Sequence, residues 1–247
     1  MSISAGWLRM TSRIRAISAV LYVLIVMPFG ILMMYLFQNA HRKVRRFLAL
    51  TFLKLFRVKV QAQGELDPSA QILIMNHQSF MDVIYFEAIH PNNLCWIAKK
   101  ELGETFLYGH ALKAPKMILI NRESKKELIY LLKEAKNRLE NGRMLCIFPE
   151  GTRSKGKDKL FPFKSGAKFL VEHFGLKVQP VVFANTRKCL NFEKMEFLNS
   201  VFDVQYLPAF TPKDNPNWYE DLERTMQTTY QALYVTYLKK RIKLFLS

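Results

Sequence analysis

His77 and Asp82, separated by four residues, have the types and spacing of a general base and the carboxylate that orients it. The apolar run Ile72 to Met75 reads as a buried strand that delivers Asn76 and His77 to its carboxyl end, where sites gather in α/β sheets. Asp82 follows in the first turn of the helix suggested by FMDVIYFEAI. Across such a strand-to-helix turn the carboxylate can bend back to one imidazole nitrogen while the other faces substrate, fixing the tautomer and stabilising the imidazolium. An isolated HxxxxD arises often by chance and equally suits a histidine that only caps a turn, so its setting must decide. A second cluster, FPEGTRS from Phe148 to Ser154, also follows a buried run. Gly151 permits a turn with exposed N–H groups, Thr152 adds a hydroxyl, and Arg153 offers the planar fork suited to a phosphate. Glu150 repels a phosphate, so it is expected to orient Arg153 or to accept a hydrogen bond from a substrate hydroxyl. Read alone, Pro-Glu-Gly-Thr is also an ordinary surface turn.

NHQSFMD (Asn76 to Asp82), followed about seventy residues later by FPEGTRS, resembles the glycerolipid acyltransferase family, in particular its 1-acylglycerol-3-phosphate acyltransferases. The resemblance extends over most of Gln71 to Phe183, with Lys99, Lys100, Glu101, Leu102, Gly109 and Arg122 matching a further block, then FKSGA (Phe163 to Ala167) and VQPVVF with Pro180. Phe106 departs from it, standing where that block usually has Pro. The resemblance implies transfer of a fatty acyl group from a thioester, acyl-CoA or acyl carrier protein, to the sn-2 hydroxyl of 1-acylglycerol 3-phosphate, giving phosphatidic acid for phospholipid biosynthesis. His77 would deprotonate the hydroxyl, Asp82 orient that base, Arg122 and Arg153 hold the phosphate with Lys100 assisting, and Glu150 and Gly151 shape the glycerol site. A thioester is already activated, so a positioned base and oxyanion stabilisation suffice without metal or prosthetic group. Ser79 gives no reason to invoke an acyl-enzyme. Rival acceptors are glycerol 3-phosphate, another lysophospholipid or a lyso-aminolipid. A rival of another class is a non-catalytic basic protein that binds anionic membranes or nucleic acid, although nothing resembles a nucleic-acid fold signature.

The elements that position these residues alternate. Ile72 to Met75, Leu94 to Ala98, Met117 to Asn121, Met144 to Phe148 and Val178 to Ala184 read as strands. A helix from Ser124 to Asn141 is expected, with Ser124 and Glu127 as capping box, Leu128, Leu131, Leu132, Ala135 and Leu139 as buried stripe, and Gly142 as stop. A last helix starts near Asn215 and Pro216 and carries Leu222, Met226, Tyr230 and Leu233, then Tyr237, Ile242 and Phe245. The class is α/β: a glycerolipid-acyltransferase-like mixed sheet flanked by helices, in a catalytic domain of residues 59–247 behind a membrane-binding helical region of residues 1–58.

No residue from Ala16 to Phe37 is charged, long enough to cross a hydrocarbon core of about 30 Å. Pro28 and Gly30 interrupt the run, and cations flank both ends: Arg9, Arg13 and Arg15 before it, and Arg42, Lys43, Arg45 and Arg46 after it. The positive-inside tendency asks both ends to be cytoplasmic, which favours a kinked pair of half-helices dipping into one leaflet over a single span. The catalytic domain would then face the cytoplasm, on the inner membrane in a bacterium. From Ala40 to Val58, Phe47, Leu50, Leu53, Leu55 and Phe56 interleave with Arg and Lys, the pattern of a basic amphipathic helix on anionic lipid or of a surface helix packed on the catalytic domain. The net charge of +17 agrees with an anionic membrane surface, lipid acceptor and acidic carrier protein as partners. Cys95, Cys146 and Cys189 are widely spaced and read as buried hydrophobes, not a disulfide framework or zinc site. His41, His90, His110 and His173 lack a carboxylate at comparable spacing and read as structural or surface residues.

Overall fold

The uncharged run does not break. In a computed structural model it lies within one helix, α1 (Ala5–Leu36), with Pro28 inside it. Proline removes a single i to i−4 hydrogen bond, and the turns on either side hold the helical course. Gly30 is the seat of a neighbour rather than a break: a Cβ there would collide with Leu48. Leu48 lies on α2 (His41–Leu55), which turns back along α1. Tyr22 on α1 donates to the Leu48 carbonyl at 3.0 Å, and Arg15 donates to the Phe56 carbonyl at 2.6 Å. The expected pair of half-helices is therefore replaced by one long helix and a separate second arm.

The structure describes residues 5–121, 125–154, 156, 158–198, 201–213 and 215–246. The chain divides into two compact units, Met1–Arg57 with Val83–Ile147, and Val58–Asp82 with Phe148–Ser247. In the first unit β5 (Arg143–Ile147), β3 (Asn93–Lys99) and β4 (Ile118–Ile120) run parallel in that order. Helices α4 (Phe106–Lys113) and α5 (Lys125–Glu140) belong with them. The buried stripe of α5 begins at Leu131, since Leu128 is exposed, and Ser124 of the expected capping box lies outside the described residues.

In the second unit the order is β1 (Lys59–Gln63), β9 (Val201–Tyr206), β6 (Val178–Ala184), β2 (Ile72–Met75). β1 and β9 are parallel, β9 and β6 antiparallel, and β6 and β2 parallel, so the architecture is mixed α/β. Every residue of β2 is fully buried. Helix α3 (Phe80–Ile89) follows it; α6 (Gly166–Phe174), the short α7 (Thr186–Cys189) and the small hairpin β7 (Leu190–Asn191) and β8 (Glu196–Phe197) come later. The final helix α8 (Trp218–Leu246) buries Leu222, Met226 and Tyr230 and packs on β6; the side chains of Tyr237, Ile242 and Phe245 lie outside the described set. The three cysteines are buried, as their neighbours led us to expect.

The basic residues of α2 are partly inside. Arg45 is 7% exposed; it pairs with Glu87 and donates to Asn93 Oδ1 at 2.7 Å. Arg42 donates to the carbonyls of His90 and Pro91, and Arg46 to that of Ala88 at 3.3 Å. Ala88 lies in the last turn of α3 and His90 and Pro91 just beyond it, at the negative dipole end that cations stabilise. His90, caught beside Arg42, is pushed down to about 4 by burial first and that charge second. Replacing Glu87 with Ala strands a buried guanidinium, and should lower the unfolding free energy by about 3–5 kcal/mol. The double variant Arg45→Met, Glu87→Leu should recover most of that loss in denaturant titrations in detergent; a single variant as stable as the wild type would contradict the buried pairing.

Candidate active site

β2 ends at Met75, and the next residue extends its pairing through a side chain. Asn76, fully buried, donates to the Phe183 carbonyl at 2.9 Å and accepts from the Phe183 N–H at 2.7 Å, copying two ladder bonds to β6. His77 comes next, its ring 13% exposed. The sequence from Ser79 then starts α3 with a capping box, the serine hydroxyl accepting from the Met81 N–H at 3.0 Å and the Asp82 carboxylate accepting from the Ser79 N–H at 2.9 Å.

That carboxylate does more than cap. Asp82 is fully buried, and its Oδ2 also accepts from the Gln78 N–H at 2.7 Å and meets His77 Nδ1 at 2.8 Å. On the far side of the ring Arg153 Nε lies 3.2 Å from His77 Nε2. A guanidinium can only donate, so Nε2 carries the lone pair and Nδ1 the proton given to Asp82. Phe148 stacks on the imidazole at 3.8 Å between ring centres and 13° between planes. The structure thus brings His77 and Asp82 together, with the imidazole nitrogen that carries the lone pair turned to Arg153.

The FPEGTRS segment turns through Gly151, whose φ of +72° suits glycine. Arg153 and Thr152 are exposed beyond the turn. Glu150 departs from the expectation that it orients Arg153 or meets substrate. It is 2% exposed, and its two oxygens accept from the N–H groups of His77 and Phe161, both at 2.8 Å. The physical reason is that a buried carboxylate without a cation needs donors, and peptide N–H groups supply them. Ser154 N–H donates to the His77 carbonyl at 2.7 Å. Both main-chain polar groups of His77 are therefore held by the second motif.

Lys100 belongs to the other unit, where it pairs with Glu127 at 3.2 Å, and Arg122 lies outside the described residues. Sequence reasoning missed Asn76, Gln78, Ser79, Phe148 and Tyr230. Gln78 is buried and donates to the Tyr230 hydroxyl at 2.7 Å, which ties the strand end to α8 across 152 residues of sequence. Only Ser79 carried a usable signal, the S-x-x-D box.

The acyltransferase family profile matches residues 57–184, the stretch that contains both motifs. The chain belongs to the acyltransferase family. It is 43% identical over 220 residues to a 1-acyl-sn-glycerol-3-phosphate acyltransferase of Helicobacter pylori, covering 87% of this chain and 93% of that one. A lyso-ornithine lipid O-acyltransferase of Brucella abortus is 27% identical over 171 residues, 66% of this chain and 62% of the other. The crystal structure of the 1-acyl-sn-glycerophosphate acyltransferase of Thermotoga maritima shares the fold, with a TM-score of 0.68 at 20% identity over 90% of this chain and 98% of that one. The protein is an enzyme, and the reading as a non-catalytic basic binder is set aside.

Burial drives the Glu150 carboxyl from 4.5 up to about 7, against the two backbone hydrogen bonds that lower it and with the charge of Asp82 adding to the rise. The folded state then holds this proton more tightly than the unfolded chain, so the contribution to stability is full below about pH 4.5 and is lost as pH rises to about 7. Glu150→Gln sets an NH2 against a peptide N–H. It should cost about 1–3 kcal/mol and remove that component of the pH dependence, read from denaturant melts at pH 4.5 and 8. Unchanged slopes would contradict the assignment.

Proposed function

We propose that the protein transfers a fatty acyl group from a thioester to the sn-2 hydroxyl of 1-acylglycerol 3-phosphate, yielding phosphatidic acid. The observation that carries this reading is the His77–Asp82 dyad with the Arg153 guanidinium at its outward nitrogen. The close Helicobacter pylori relative supports the acceptor. His77 Nε2 takes the hydroxyl proton as the oxygen attacks the thioester carbonyl. The tetrahedral intermediate collapses, the C–S bond breaks, and the departing thiolate receives that proton from the imidazolium, whose charge Asp82 balances throughout. No metal or prosthetic group enters these steps. The donor is acyl-CoA or acyl carrier protein; the latter, being acidic, suits the net charge of +17.

Arg153 has two tasks in this scheme. Without acceptor its Nε–H occupies the lone pair that must take the proton. An acceptor phosphate draws the guanidinium into bidentate contact and frees Nε2, so base and phosphate site are engaged together. Thr152, exposed on the same turn, adds a hydroxyl for the headgroup, and Gly151 lets the turn close. Lys100 and Arg122 remain candidate phosphate ligands from the family resemblance.

Helix α1 brings the lipid. Its segment Arg9–Leu36 is long and apolar enough to cross a membrane by length and composition. Trp7, Met10, Ile14, Ile17, Leu21 and Leu24 are each at least half exposed in an apolar stripe. With α2 turned back beside it, we place this pair of helices in the cytoplasmic leaflet, the enzyme facing the cytoplasm and its anionic lipid surface.

His77→Ala should reduce acyl transfer at least 1,000-fold, roughly the combined scale of base catalysis and its electrostatic support, while vesicle binding is unchanged. Wild-type turnover would remove His77 from the mechanism. Arg153→Ala should lower kcat/KM for lysophosphatidate by roughly 100-fold and leave the KM for donor nearly constant. An equal loss with a lysolipid lacking the phosphate would count against the phosphate assignment.

A further inference from the structure

Phe106 is 91% exposed, the most solvent-facing of the large apolar side chains among the described residues. It occupies the first position of α4, and Thr105 before it makes no side-chain capping bond. Local structure gains nothing from Phe there; a helix start is better served by Pro or an acidic residue. Leu102, 37% exposed, sits in the short 3-10 turn Lys100–Glu104 just before, and the Thr105 hydroxyl donates to its carbonyl at 2.7 Å. Lys100, through Glu127, ties this turn to the start of α5, where Ile129 is 71% exposed.

The surroundings say what covers this patch. Leu107, the next residue, packs on the cluster of Ile31, Met34 and Ala114, so the start of α4 lies beside the C-terminal half of α1. Phe29, Leu32 and Leu36 on that half are 51–63% exposed. The patch thus continues the apolar stripe of α1. Lys99, Lys100 and Lys113 are exposed around it, and the Lys113 chain lies over Gly103 in the same turn. Glu101 and Glu104 share the turn, so insertion is carried by the apolar side chains and the lysines serve the headgroup level.

We propose that Leu102 and Phe106 form a second membrane contact, a wedge entering the headgroup and acyl boundary of an anionic bilayer next to α1. This rests on the membrane reading of α1. The wedge fixes the tilt of the first unit on the lipid, which one helix alone leaves free to roll.

Intrinsic fluorescence tests it in the full chain on phosphatidylethanolamine–phosphatidylglycerol vesicles, with and without brominated acyl chains. Trp96 and Trp218, 5% and 4% exposed, are buried background, while Trp7 at 55% reports on α1. In the double variant Trp7→Phe, Phe106→Trp the introduced indole should be quenched by bromine and shielded from aqueous iodide. Phe106→Ser should weaken vesicle binding on the order of tenfold, with turnover in detergent micelles unchanged. An introduced indole that stays open to iodide and untouched by bromine overturns the proposal. If wild-type Trp7 is quenched in that case, only the second contact falls; if Trp7 also escapes bromine, the membrane reading of α1 falls with it.

Discussion

The main chain of His77 is the point on which the site depends. Its N–H is held by Glu150 and its carbonyl by Ser154, so the loop bearing Arg153 and the strand end bearing His77 cannot move independently. Asp82 then fixes the ring against this anchored backbone. A carboxylate buried without a cation is an expensive anchor, tolerable because each oxygen finds a peptide donor. In a low-dielectric interior such satisfied polar networks are rigid, and the imidazole is held in one orientation by them.

The central strands were legible because they are short runs that are wholly or mostly apolar. Ile72 to Met75 and Val178 to Ala184 match their observed bounds. β1 was not, because Lys59–Gln63 is an edge strand of mostly exposed residues with little apolar pattern to read. At the site, His77, Asp82 and Arg153 were singled out by residue type and spacing, and the fold brings the three side chains into contact. The role of Glu150 was not, since sequence shows a charge but not its burial. Gln78 and Tyr230 meet only through the fold, with no local period to announce them.

The same limit applies to the basic helix α2. Interleaved cations and apolar residues describe equally a helix floating on anionic lipid and one packed on protein. The structure divides the labour: Phe47 and Leu55 are exposed, whereas Arg45, Ala49 and Phe52 are buried, and the arginines complete the carboxyl end of α3. Part of the positive charge that looked like a membrane signal thus neutralises a helix terminus inside the protein.

The order of the chain gives the division into units a consequence during synthesis. β2, which leads into His77, pairs with β6, Ile72 beside Val178, and Gln78 waits for Tyr230 on α8. α1 and α2, by contrast, contact one another within the first 57 residues. A growing chain therefore can pair α1 with α2 early and β2 with β6 only late, because the distant pairing must await chain that has not yet been made. The first helical pair can thus stand formed on the emerging chain while β2 still waits for its partner strand.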